Sequence, residues 1–220
     1  MKPKIIYCYD AYCGWCFGFS IVIKQFWLTH QDKFDFEVLS GGMIPKESAR
    51  HIGQITPYLQ QAYKTVEETA GVKFGPDFLW HICNPEQSDW FPHSETPAVA
   101  LSILKEIFPE RSIEFASDLQ FALYGEGRDL TDPEAYRHLM PKYDLDAESF
   151  YKKLNDPEYI EKAHYDFTLV KQLKVNGFPT VFIQFDPKKL YMIARGYSDL
   201  ESIEKRLATI IAEDNSIKWS

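Results

Sequence analysis

Residues 4–16 read Lys4-Ile5-Ile6-Tyr7-Cys8-Tyr9-Asp10-Ala11-Tyr12-Cys13-Gly14-Trp15-Cys16, and the chain runs on from Phe17 to His30 without a proline. The apolar run Ile5 to Tyr9 does not alternate, which is the pattern of a short strand buried on both faces. Asp10 to Tyr12 then forms a brief loop. From Gly14 to His30 the stretch has helix length, with Phe17, Ile21, Lys24 and Leu28 at helical spacing. Phe19, Val22, Ile23, Phe26 and Trp27 are apolar as well, so this helix is expected to be covered on more than one side. Phe34, Phe36 and Val38 next alternate with Asp35 and Glu37, the period of a strand, and Gly41-Gly42 closes it. The opening is therefore strand, helix, strand, with a Cys-x-x-Cys at the helix N-terminus.

Working outward, the middle of the chain changes character. Thr96-Pro97, Asp132-Pro133 and Asp156-Pro157 each read as a helix N-cap followed by proline in the first helical position. Val99, Leu101, Ile103, Leu104 and Ile107 predict one helix stopped by Pro109. Phe115, Leu119, Ala122 and Leu123 predict another stopped by Gly125. No strand-like run occurs between about residue 45 and residue 175, so this part reads as a helical block. Strands return at Thr180 to Phe185 and Leu190 to Ala194. The Asp186-Pro187 turn between them is short enough to demand an antiparallel hairpin. Ser198-Asp199-Leu200-Glu201 reads as a capping box for a last helix, with Leu200, Ile203, Leu207 and Ile210 on one face. The expected class is α/β, a strand–helix–strand unit and a terminal hairpin interrupted by an all-helical insertion. The expected division is 1–44 plus 157–220 for the α/β part and 45–156 for the insertion.

Cys13 and Cys16 carry the chemistry. Disulfide exchange needs a thiolate, and a free cysteine supplies little of it at neutral pH. A helix N-terminus presents unpaired N–H groups and the positive end of the helix dipole, which favour the thiolate. Cys13 sits at that end and is the expected nucleophile. Cys16, one turn on, is placed to resolve a mixed disulfide. The same spacing also serves zinc, whose further ligands would have to come from Cys8, Cys83 or a histidine such as His81. Cys8 and Cys83, isolated in apolar company, are expected to be buried small hydrophobes. Gly41-Gly42 either allows a close backbone approach near the site or only ends its strand, and Asp10 either influences the thiol or caps a turn.

Tyr12-Cys13-Gly14-Trp15-Cys16 with its strand and helix, together with Gly177-Phe178-Pro179-Thr180 opening a late strand, resembles the DsbA family of thiol–disulfide oxidoreductases. The closer resemblance is to the cytosolic, leaderless branch that includes 2-hydroxychromene-2-carboxylate isomerases and kappa-class glutathione transferases. It implies a thioredoxin-like fold with an inserted helical domain and protein disulfide oxidoreductase or isomerase activity. It also implies that Pro179 follows a cis peptide bond and lies against the dithiol. Tyr12, Trp15 and Phe178 are the expected apolar rim of a substrate site, and Thr180 joins them as a substrate-binding residue. Those isomerases and transferases carry serine at the nucleophile position, whereas this chain has both cysteines. The function expected is exchange of a Cys13/Cys16 dithiol with protein or small-molecule disulfides. A glutathione-dependent transferase or isomerase and a zinc-held interaction module stand as alternatives.

The bulk properties fit that expectation. With 24 Lys and Arg against 32 Asp and Glu the net charge is −8, and no basic patch offers itself to nucleic acid. The apolar run after Met1 is shorter than the about 7 to 15 residues of a secretory leader, and nothing approaches the ~20 of a membrane span. The chain is thus expected in the cytoplasm, without metal or organic cofactor. Its expected partners are peptide or protein disulfides, with glutathione or a thioredoxin-type protein as reductant.

Overall fold

The computed structural model describes residues 2–213. Strand β1 (Lys4–Tyr9) leads through the Asp10–Tyr12 loop into helix α1 (Gly14–His30), and β2 (Asp35–Ser40) follows. Then come α2 (Thr56–Ala70), α3 (Pro76–Cys83), α4 (Glu95–Ile107), α5 (Ser112–Tyr124), α6 (Ala147–Leu154) and α7 (Pro157–Gln172). The chain ends in β3 (Thr180–Asp186), β4 (Lys189–Arg195) and α8 (Leu200–Glu213). Among the described residues no strand lies between Ser40 and Thr180, as the helical reading requires.

The sheet order is β2-β1-β3-β4, with β1 parallel to β2 and antiparallel to β3, and β3 antiparallel to β4. This is the thioredoxin-like arrangement with a helical insertion. Its register builds the site. Tyr9 pairs with Ser40 and Cys8 with Thr180. Three segments therefore leave the sheet at one end: the loop into Cys13, the Gly41-Gly42 turn and the Phe178-Pro179 approach to β3.

β1 is buried on both faces, which is why its sequence does not alternate. Ile5, Tyr7 and Tyr9 join the core that holds α1 and the insertion. Ile6 and Cys8 join a smaller cluster with Leu39, Val170 and Phe182 on the other face. The first core runs without a break from the sheet into α4 and α5, so the insertion and the α/β part share one apolar interior. On the far face Lys105 Nζ of α4 donates to Val38 O at 2.8 Å and to both carboxylate oxygens of Asp166 on α7. Burial pushes the Asp166 carboxyl up, and the Lys105 ammonium opposes it. A pair so placed fixes the register of α4 and α7 against β2 more than it adds stability.

Several boundaries differ from the sequence reading. Helix α4 starts at Glu95, and Thr96 lies inside it; Ser94 precedes it, but its hydroxyl is committed to Asp10 and does not cap. Pro97 falls in the first turn, where its missing N–H would have had no helical partner. Asp132 does cap, accepting from Glu134 N–H, but the element it opens (Pro133–Leu139) is a 3₁₀ helix. Asp156-Pro157 opens α7 as expected. For α8 the capping oxygen comes from Asp199, which accepts from Ser202 N–H at 2.7 Å, rather than from Ser198. Cys83 is exposed, not buried: it is the last residue of α3, turned away from fully buried Ile82.

Candidate active site

Cys13 is the N-cap of α1, in extended backbone conformation (φ −90°, ψ 108°), and its side chain does what a capping oxygen would. Its Sγ accepts from Cys16 N–H at 3.3 Å, and its carbonyl accepts from Cys16 and Phe17 N–H. Its thiol also reaches Phe178 O at 3.6 Å, across 165 residues of sequence. No acidic side chain stands in the first turn of α1 to oppose a negative sulfur. Cys16 is fully enclosed, and burial first, then the neighbouring Cys13 sulfur, pushes its thiol well up. Burial likewise pushes up the phenol of Tyr7, with both sulfurs adding to the effect.

The loop before Cys13 is held by two buried polar groups. Asp10 Oδ1 accepts from Tyr12 N–H and Ser94 Oγ, and its Oδ2 accepts from Met43 N–H. The carboxylate thus ties the dithiol loop, the Gly41-Gly42 turn and the start of α4 together. Burial raises its pKa while those donors oppose the rise. Gln120 of α5 donates to the carbonyls of Asp10 and Cys13 at 3.3 and 3.4 Å. Sequence reasoning missed Gln120, although a lone amide among Ile113, Ala116 and Leu123 on a buried helix face is a readable signal.

A cleft of about 660 Å³ opens beside Cys13. Tyr12, Trp15 and Phe178 line it, so the structure brings together three of the expected substrate-site residues with Cys13. Pro179 is buried after a cis Phe178–Pro179 bond, its carbonyl accepting from Gly196 N–H. Thr180 does not line the cleft: it is buried and its hydroxyl donates to Gly177 O at 2.8 Å. Gly41 and Gly42 serve the close approach. A Cβ on Gly41 would stand 2.1 Å from the Phe178 ring, and Gly42, at φ +65°, lies under the Phe167 ring. The far wall comes from the insertion: Tyr58, Tyr63, Phe74, Phe78 and Tyr124. None of these was singled out in the sequence.

Cys8 and Cys83 stand apart from this site. Cys8 is on the opposite face of the sheet from the dithiol, and burial, with Asp166 and Glu37 adding, pushes its thiol up to about 12. No group of three or more His, Cys, Asp or Glu side chains among the described residues is arranged to hold a metal ion. Mild oxidation is expected to form one disulfide, Cys13–Cys16. Peptide mapping should find Cys83 alkylated in the native protein and Cys8 only after denaturation. A Cys8–Cys83 bridge would show that the described arrangement of the thiols is wrong.

An α/β sheet of this order, a helical insertion and a Cys-x-x-Cys at a helix N-terminus define a thioredoxin-like protein. Residues 111–208 match the model of the DSBA-like thioredoxin domain. The matched segment includes Phe178-Pro179 and stops short of the dithiol, which lies in the N-terminal strand–helix unit. Among solved structures, a candidate protein disulfide isomerase from Nitrosomonas europaea superposes with a TM-score of 0.82 at 20% identity, covering 98% of this chain and 100% of that one. The cytosolic disulfide reductase DsbM from Pseudomonas aeruginosa gives 0.75 at 20% identity, with 95% and 98% covered. A 2-hydroxychromene-2-carboxylate isomerase gives 0.64 at 11% identity, with 98% and 100% covered. At these identities the likeness is one of fold. No curated protein sequence matches the chain. No helix among the described residues is long and apolar enough to cross a membrane.

Proposed function

We propose that this protein is a thiol–disulfide oxidoreductase of the cytoplasm, exchanging a Cys13/Cys16 dithiol with disulfide substrates and using glutathione as its low-molecular-weight thiol partner. The observation that carries the reading is the asymmetry of the pair. Cys13 Sγ lies at the helix N-terminus, borders the cleft and accepts a backbone hydrogen bond, while Cys16 is sealed behind it. Cys13 attacks a substrate sulfur and the first thiol leaves. Cys16 then attacks Cys13 Sγ, the second thiol leaves, and the pair is oxidised by two electrons. Two equivalents of glutathione restore the dithiol and become one glutathione disulfide. The glutathione assignment is supported by a DsbM structure solved with GSH, similar to this chain at a TM-score of 0.70 and 20% identity. The fully buried Cys16 also favours an oxidoreductase over a glutathione transferase or isomerase, which has no use for a second thiol behind the first.

The test is equilibration of the protein with glutathione buffers, followed by acid trapping and mass analysis. A single two-electron transition confined to Cys13 and Cys16 is expected, and its potential tells whether the protein works as reductant or oxidant. Turnover that survives Cys16→Ala undiminished would instead favour the transferase or isomerase reading.

A further inference from the structure

We propose that the cleft beside the dithiol selects small disulfides that join a carboxylate-bearing end to an aromatic or bulky apolar body, a reading that rests on Cys13 being the exchanging thiol. The first observation is one of charge. The chain carries −8, yet no Asp or Glu lines this cleft. Its one lining cation, Lys171, makes no ion pair among the described residues. Asn176, which also lines the cleft, accepts through Oδ1 from Arg195 Nη2 at 2.6 Å and so holds a guanidinium beside it. One edge of the cleft is therefore cationic in an otherwise acidic protein, and it suits a carboxylate.

The wall supplied by the insertion is aromatic and already packed. Phe74 stands 5.8 Å from Tyr63, 5.6 Å from Phe78 and 5.1 Å from Tyr124, centroid to centroid. Rings so held lose little freedom when a flat or branched apolar group settles on them. Cys13 belongs to both sides. Its thiol reaches Phe178 O on the rim that carries Asn176, and a Cβ on adjacent Gly14 would be 3.8 Å from the Phe74 ring. A disulfide lying across the cleft thus meets the sulfur at its middle. The volume, about 660 Å³, fits a ligand of small-molecule size.

The exchange balances as RS–SR′ plus the dithiol giving RSH, R′SH and the Cys13–Cys16 disulfide. Two electrons pass to the substrate, and glutathione later restores them.

Selectivity is tested in single turnovers of the pre-reduced protein, with no glutathione present. The substrates are 5,5′-dithiobis(2-nitrobenzoate) (aromatic with carboxylates), 2,2′-dithiodipyridine (aromatic without them) and insulin. Lys171→Gln is expected to slow the carboxylated disulfide about three- to fivefold, the upper range for an exposed ion pair, and to leave the dipyridyl substrate unchanged. Tyr58→Ala removes a mostly exposed ring, so the fold is not at risk. It is expected to slow both aromatic disulfides about fivefold and to spare insulin. Equal effects of Lys171→Gln on the two aromatic substrates, or an insulin rate that falls with Tyr58→Ala as much as theirs, would overturn the proposal. If Cys13→Ser keeps wild-type rates on every substrate, the oxidoreductase reading falls instead.

Discussion

Cys16→Ala is expected to stop turnover and to leave the protein caught in mixed disulfides through Cys13. Cys13 keeps its place at the head of α1 in this variant, because its carbonyl and its sulfur are positioned by backbone N–H groups that alanine retains. It can therefore still attack. What is lost is the thiol one turn further in, fully buried and next to the sulfur it must attack. Steady-state reduction of a disulfide should fall by on the order of a thousandfold or more, the scale on which removing one member of a cooperating catalytic set acts. Adducts should accumulate on the variant, visible on non-reducing gels after acid quenching and lost with reductant. Cys13→Ser should show neither turnover nor adducts. The fold should survive, since deleting one buried sulfur costs about 1 to 2 kcal/mol, less than the usual margin of stability. A Cys16→Ala protein that turns over normally, or that traps adducts through Cys83, would remove the pair from the proposed mechanism.

The parts of this site that could be read from sequence are those written locally. The dithiol, its strand and its helix are contiguous, and the non-alternating Ile5 to Tyr9 run follows directly from a strand covered on both faces. The pairing of Cys8 with Thr180 is different in kind. Nothing in the composition of β1 or β3 sets that register, and only the resemblance carried by two distant motifs placed Phe178 beside Cys13. Phe74, Phe78 and Tyr124 were not legible as a binding wall because one ring serves two surfaces, core on one side and cleft on the other. The misplaced caps have a tertiary cause. Ser94 has the right chemistry for a helix start, but Asp10 claims its hydroxyl. Cys83 shows the limit of reading burial from neighbours, since one step along a helix is a turn of about 100° and separates it from the buried face of Ile82.

Asp10→Asn is expected to destabilise the fold and loosen the cleft, though it changes a single atom. Both carboxylate oxygens act only as acceptors here: Oδ1 takes Tyr12 N–H and Ser94 Oγ, and Oδ2 takes Met43 N–H. An amide has one acceptor oxygen, so whichever way it turns, its NH₂ faces a donor that has nowhere else to go. Each buried donor left unpaired costs about 1 to 3 kcal/mol, and a chain of this size loses about 2 to 4 °C of melting temperature per kcal/mol. A fall of roughly 5 to 10 °C is therefore expected, with Asp10→Ala at least as low. The pH dependence separates this from a generic packing defect. Because burial holds the folded-state pKa of Asp10 above its unfolded value, its titration adds stability that is fully present below the unfolded value, near 3.9, and is lost as pH rises through the folded one. Asparagine does not titrate, so the gap in stability between wild type and variant should widen as pH falls through the folded-state value toward the unfolded one. Thermal melts of both proteins across that range give the gap directly, other groups cancelling in the difference. A gap that narrows toward acid would mean that the three donors outweigh burial and hold Asp10 as an anion. A gap near zero throughout would mean that Asp10 does not tie the dithiol loop to the Gly41-Gly42 turn.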